Sequence, residues 1–306
     1  MKLVSTLDCV SIVDPAKFDI VYTEAGTKIL RIRITDPFSL LLELNYNSGE
    51  FIVEFTGKIL GEDYPQLISQ DSIQVCFQHI NELGYCIIDT EKIMSAEVVK
   101  CDVTKDVQVK DVPSLTKWIR GNVSNYQLYS CRLLRNGNLI IEKNVTSHKR
   151  KKRMTIYDKE NEMTMSREND FVADNNLSGK FNGVCRFELN LTSKQQIRDA
   201  LGTTGNTLAE VLRSTKNPIY NFADDVIFDG STLTRPEKHN WKNYLMGLVL
   251  KECNYDITAV EAKLREYYDA GKCAIPTKLK PYREMLANND PCEQTWTKQK
   301  ILAALQ

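Results

Sequence analysis

A phenol and an amine stand two residues apart at Tyr157 and Lys159, inside the stretch HKRKKRMTIYDKENEM that runs from His148 to Met163. The stretch reads as a basic run, a short strand and the first turn of a helix. Side chains on a strand alternate between faces. Met154 and Ile156 therefore share one side, and Arg153, Thr155, Tyr157 and Lys159 share the other. A neutral phenol, with a reference pKa of about 10, is a weak nucleophile. A neighbouring cation lowers the cost of forming the phenolate. The same residues also describe an ordinary amphipathic strand, and this stretch by itself leaves both readings open.

Three further segments each carry one carboxylate opposite an apolar stripe. Glu54 lies in EFIVEFTGKI, facing away from Phe51, Val53 and Phe55. Asp102 lies in AEVVKCDVT, opposite Val99, Cys101 and Val103, and Glu188 lies in NGVCRFELNLT, opposite Cys185, Phe187 and Leu189. If the three strands share a sheet with Tyr157, these groups line one face. Carboxylate oxygens gathered around a point suit a hard divalent cation such as Mg²⁺ or Mn²⁺. Such an ion polarises a phosphodiester, and a tyrosine beside it can attack, leaving a phosphotyrosine and a free 3′-hydroxyl. A solvated face held by cross-strand Lys–Glu pairs would show the same pattern.

The elements that must position these groups follow from periodicity and turn residues. Lys2 to Ile12 predicts a first strand, with others at 28–36, 39–46 and 50–59 and a hairpin at Asn47-Ser48-Gly49. Asp71 with Gln74 predicts the start of a helix that Gly84 ends. A strand at 96–104 and a helix opened by Pro113 come next, then strands at 125–134 and 138–146 around Arg135-Asn136-Gly137. Residues 159–180 are polar and predict a short helix followed by a mobile loop. After the strand at 182–192, Ser193 and Gln196 open a helix that ends at Gly202. Beyond 203 the apolar spacing is helical, as at Trp241, Leu245 and Leu248. The expected fold class is α+β, with an antiparallel sheet covered by helices on one face. The expected division is an α+β domain over 1–202 and a helical domain over 203–306, the latter available for DNA or partner binding.

Composition narrows the classes. The 306 residues hold 40 Lys plus Arg and 40 Asp plus Glu, so any nucleic-acid contact must come from local patches rather than net charge. No apolar run is long enough to span a bilayer, and the opening MKLVSTLDCVSIVDP is a better strand than signal peptide. Nine cysteines lack any CxxC spacing, which argues against a zinc ribbon and for free thiols in a reducing cytoplasm.

The segment SHKRKKRMTIYDKENEM resembles the active-tyrosine segment of rolling-circle replication initiators of the filamentous-phage gene II/gene X type and related plasmid Rep proteins. VVKCDVT, GVCRFELNL and IVEFTGKIL resemble three other strands of that family, in the same order, over roughly residues 50–200. The resemblance implies a palm sheet of the HUH-endonuclease type and a bacterial cytoplasmic enzyme that nicks and rejoins one origin strand. By position it implies Tyr157 as nucleophile, Lys159 as a phosphate or phenolate partner, and Glu54, Asp102 and Glu188 as candidate metal or structural acids. The implied cofactor is Mg²⁺ or Mn²⁺; the implied partners are single-stranded or supercoiled origin DNA and a host helicase, with no membrane. The chain departs from the wider superfamily in having no His-x-His, since His79, His148 and His239 are isolated. Either acidic ligands replace the histidines or the metal site is weakened. His148, Lys149, Arg150, Lys151, Lys152 and Arg153 form a cationic run suited to DNA phosphates, or simply to solvent. A non-catalytic origin-binding initiator and a mobilisation relaxase are the alternatives.

Overall fold

The computed structural model describes the chain except residues 23–25, 124–128, 146–151, 228–240, 254–255, 268–274 and 289–295. Its centre is a ten-stranded sheet in the order β3-β4-β5-β6-β1-β8-β12-β11-β10-β9, antiparallel at every step. The strands are β1 (Lys2–Thr6), β2 (Val10–Ile12), β3 (Asp19–Tyr22), β4 (Lys28–Ile34), β5 (Leu40–Asn45), β6 (Glu50–Phe55), β7 (Cys86–Ile88), β8 (Glu97–Gln108), β9 (Tyr129–Leu133), β10 (Leu139–Lys143), β11 (Arg153–Asp158) and β12 (Val184–Leu191). β2 and β7 pair separately. Period-two alternation builds the core: Leu3, Leu40, Leu42, Phe51, Val53, Met154, Ile156, Phe187 and Leu189 are all buried in one cluster. The residues between them face the other side.

The sheet repeats itself about its central pair. Outward from β1 the order is β6, β5, β4, β3, and outward from β8 it is β12, β11, β10, β9. Each half is thus one strand followed, later in the chain, by a four-strand meander whose last strand returns beside the first. The sequence shows no repeat, because alternation constrains residue class and not identity.

Helices cover the apolar face. α1 (Ile73–Glu82), α2 (Val112–Asn122), α5 (Lys194–Leu201), α6 (Leu208–Leu212), α7 (Pro218–Val226) and α11 (Lys298–Leu305) all contribute to the sheet's core, through Phe77, Ile119, Ile197, Leu208, Phe222 and Ile301 among others. The expected boundary at 202 therefore divides one core, because α6, α7 and α11 lie beyond it yet pack with residues before it. α8 (Trp241–Glu252), α9 (Ile257–Tyr267) and α10 (Ile275–Asn288) contribute instead to a small cluster of Leu250, Cys253, Val260 and Leu279.

Two local expectations are corrected. Lys2 to Ile12 is not one strand: a 3-10 turn at Leu7–Cys9 breaks it, and β2 leaves for β7. Residues 159–180 begin with the expected short helix, but a packed segment and not an open loop follows it. They form α3 (Lys159–Met163), a 3-10 turn and α4 (Asn169–Asp174), and their few apolar residues are buried with Tyr64 in a second cluster of Met163, Phe171, Leu177 and Phe181. Low apolar content hid an economical roof over part of the polar face.

Gly183, which leads from that roof into β12, has φ +67°, and a Cβ there would meet the Val109 carbonyl oxygen at 2.8 Å. Gly137, in the β9–β10 turn, has φ +83° but open space around it. Both Gly→Ala changes should cost the left-handed penalty of about 1–2 kcal/mol, and Gly183→Ala should cost more because backbone must shift. Chemical denaturation of the two variants checks the order.

Candidate functional site

The Tyr157 side chain is held between β11 and its neighbour β12. Tyr157 is opposite Arg186, and Thr155 is opposite Glu188. The Tyr157 hydroxyl donates to Glu188 Oε1 at 2.8 Å. Asp102 stands one step away on β8, since Asp102 is opposite Asn190 and Thr104 is opposite Glu188. Asp102 accepts a hydrogen bond from Asn190. Tyr157, Glu188, Asp102, Thr104, Arg186 and Tyr64 all line a cavity of about 670 Å³.

Behind Tyr157 lies a buried ionic chain. Arg186, 2% exposed, donates through Nε and Nη2 to the two Asp106 oxygens, each at 2.7 Å. This is the two-pronged geometry that fits guanidinium to carboxylate. Arg186 Nη1 also donates to the Tyr64 hydroxyl at 2.9 Å, and Lys159 Nζ donates to the same oxygen at 2.7 Å. Lys159 then bonds Glu162 at 2.5 Å. Phe171 and Phe181 stack edge-on against the Tyr64 ring.

The sequence expectation for Lys159 is thereby corrected. Alternation stops at Asp158, whose side chain accepts from Asn161 N and caps α3. Lys159 is the first helical residue, fully buried, and reaches Tyr64 rather than the Tyr157 hydroxyl. What touches that hydroxyl is a carboxylate. Burial, and then Glu188, push the Tyr157 phenol far above its ordinary value. Burial also raises the Glu188 carboxyl, against the hydrogen bond from Tyr157 and the charge of Arg186. Burial opposes the Arg186 charge, but Asp106 outweighs it and lifts Arg186 above its usual value. The pair Tyr157–Glu188 is thus a phenol holding its proton beside a carboxylate of enhanced basicity.

Glu54 shares the polar face but not the site. It faces Lys2 across β6–β1 and binds Lys100 at 3.2 Å and Lys2 at 3.8 Å. Burial would raise its carboxyl, but these two lysines hold it below the ordinary range. Three strand steps separate β6 from β12, which at about 4.8 Å per step puts Glu54 roughly 14 Å from Glu188. The expected three-acid cage does not form. Among the described residues no three His, Cys, Asp or Glu side chains group closely enough to hold a metal. Asp102 and Glu188, diagonal neighbours on β8 and β12 with Cβ atoms roughly 7 Å apart, are the two carboxylates of the expected set that share the cavity. His79 is bonded to the Ile59 carbonyl oxygen. His148, Lys149, Arg150 and Lys151 lie outside the described residues, while Lys152 and Arg153 lead into β11.

Tyr64, Asp106 and Glu162 are the residues that the sequence expectation omits. Asp106 had a legible signal, since Asp102, Thr104 and Asp106 continue one alternation that ends too early at 104. Tyr64 had none, sitting in an irregular 3-10 segment, Gly57–Gln66. No protein-family model matches the chain, and no curated protein matches it either. Among the described residues no helix is long and apolar enough to cross a membrane, and the seven described cysteines are free thiols.

Proposed function

We propose that the chain nicks and rejoins one strand of DNA through Tyr157, as the motif resemblance implies, and that its sheet serves as the palm of an HUH-like initiator. The observation that carries this reading is the hydrogen bond from the Tyr157 hydroxyl to Glu188 on the wall of an open cavity. In the proposed step the phenol oxygen attacks phosphorus and the P–O3′ bond breaks. Glu188 takes the phenol proton, and the departing 3′-oxygen takes up a proton to leave as a hydroxyl. The reverse attack by a 3′-hydroxyl rejoins the strand without ATP. Asp102 and Glu188 would hold a Mg²⁺ or Mn²⁺ ion. Such an ion would supply neutralisation of charge on the phosphoryl oxygens.

A second reading, a non-catalytic origin-binding protein, is favoured by one observation. Tyr157 is only 8% exposed and its hydroxyl is already engaged. The experiment that separates the two is incubation with single-stranded oligonucleotides tiled across the replicon that encodes the chain, with Mn²⁺, followed by a denaturing gel. The nickase reading requires a protein–DNA adduct that survives denaturation, and the binder reading requires none.

Two further outcomes follow. Glu188 must be ionised to accept the proton, and burial raises its carboxyl. The cleavage rate should therefore fall as pH drops and Glu188 is protonated, and Glu188→Gln should leave only a residual rate without that acid limb. Neutralising Lys149, Arg150, Lys151 and Lys152 together should lower the salt slope of DNA binding by roughly three to four units, read from affinity across a salt series.

A further inference from the structure

The cavity beside Tyr157 passes through the plane of the sheet. Tyr157, Glu188 and Asp102 line it from the polar face, whereas Leu201, Val211 and Leu212 line it from the helix side. A void can reach both faces of a sheet only where strand pairing is interrupted. β8 supplies the interruption. It pairs with β12 along Cys101–Gln108, but with β1 only at Glu97, Val98 and Lys100. Beyond Lys100, the flank of β8 that β1 would cover faces the cavity, with Thr56, Gly57 and Lys58 on the far side.

The phase of the ladder identifies the open groups. Val109 N donates to Gly183 O at 2.8 Å, so the bonds toward β12 fall on odd-numbered residues of β8 from 101 onward. In an antiparallel ladder the intervening residues point the other way. The N–H and C=O groups of Asp102 and Thr104 therefore point into the cavity, those of Asp106 continue the same flank beyond its lining, and among the described residues nothing bonds them. An alternating row of donors and acceptors is the complement of another polypeptide strand. A nucleic-acid backbone offers acceptors for the N–H groups but no matching donors for the carbonyls.

We propose that this slot binds an extended segment of a partner polypeptide, added as a strand along the free flank of β8. The two walls define its chemistry. Side chains on one side of the added strand meet Leu201, Val211 and Leu212 and should be apolar. Those on the other side meet Asp102 and Glu188, neither of which forms an ion pair among the described residues, and should be basic. The segment is thus four to six residues of alternating apolar and cationic character, about the length of a typical strand. Its cationic side chains would lie against Tyr157 and Glu188. The proposal does not require Tyr157 to be a nucleophile.

The test uses the full chain and a fluorescein-labelled peptide of alternating valine and arginine, about six residues long. Fluorescence anisotropy should report saturable binding. N-methylation of one alternating set of peptide nitrogens should weaken binding about ten- to a hundredfold, and methylation of the other set should change it little. Deuterium uptake over residues 101–107 should fall on binding. Thr104→Pro removes a slot-facing N–H without breaking a β8–β12 bond and should weaken the peptide similarly. If that variant does not fold, the methylated peptides decide alone. Equal response to both methylation sets, equal binding of a peptide with valines and arginines in separate blocks, or no binding would overturn the proposal. So would protection of 101–107 by single-stranded DNA or by self-association of the chain with no such protection by the peptide.

Discussion

Tyr157→Phe is expected to abolish the covalent protein–DNA adduct and lower strand cleavage by at least about four orders of magnitude, the scale of losing a nucleophile. DNA affinity should stay within a few-fold. The change deletes one oxygen from a ring that is almost wholly buried against β12, so packing and net charge persist. The lost hydrogen bond has a partner, Glu188, which lines the cavity and can turn to solvent. Removing Tyr157's oxygen should therefore cost about 1.5–3 kcal/mol of stability, the scale of a hydrogen bond to a charged group and less than the total stability of a typical domain. Cleavage at the unsubstituted rate by this variant would exclude Tyr157 from the chemistry.

Arg186→Leu should have the largest effect on folding of any single change at the site. It strands Asp106, removes a donor from Tyr64 and leaves no cation to offset the carboxylate. Breaking one partner of a buried ion pair costs about 3–5 kcal/mol. Asp106 keeps 22% of its side chain exposed, which favours the lower end of that range, since water can solvate the orphaned acid. The superficially similar Arg31–Glu43 pair, with 36% and 16% exposure, should contribute about 0–1 kcal/mol. Urea denaturation of Arg186→Leu and Arg31→Leu measures both, and equal losses would mean that the buried chain contributes no more than a surface pair.

Alternation made most of the sheet legible. It placed Glu54, Asp102, Tyr157 and Glu188 on one polar face and Phe51, Val53, Met154 and Phe187 in the core, and the glycines at 49 and 137 located two hairpins. It could not supply strand order. Tyr157 and Glu188 meet because β11 and β12 are neighbours, whereas Glu54 belongs to the other half of the sheet. Alternation also fails where a strand becomes a helix, which is why Lys159 turns inward instead of joining Tyr157 on the face. The cap over residues 159–181 was hidden because four buried apolar side chains, spread among charged ones, suffice to pin it. Tyr64 joins the site through an irregular segment that has no period to read.

The proposed strand transfer requires a bond between the Tyr157 oxygen and phosphorus. The direct measurement is mass spectrometry of the adduct made with an origin-derived single-stranded oligonucleotide and Mn²⁺, after nuclease trimming and proteolysis. The peptide containing Tyr157 should carry the added 5′-phosphonucleotide on the tyrosine oxygen, and Tyr157→Phe should yield no such peptide. A nucleotide found on Tyr64 or on any other residue, with Tyr157 unmodified, would contradict a bond to Tyr157.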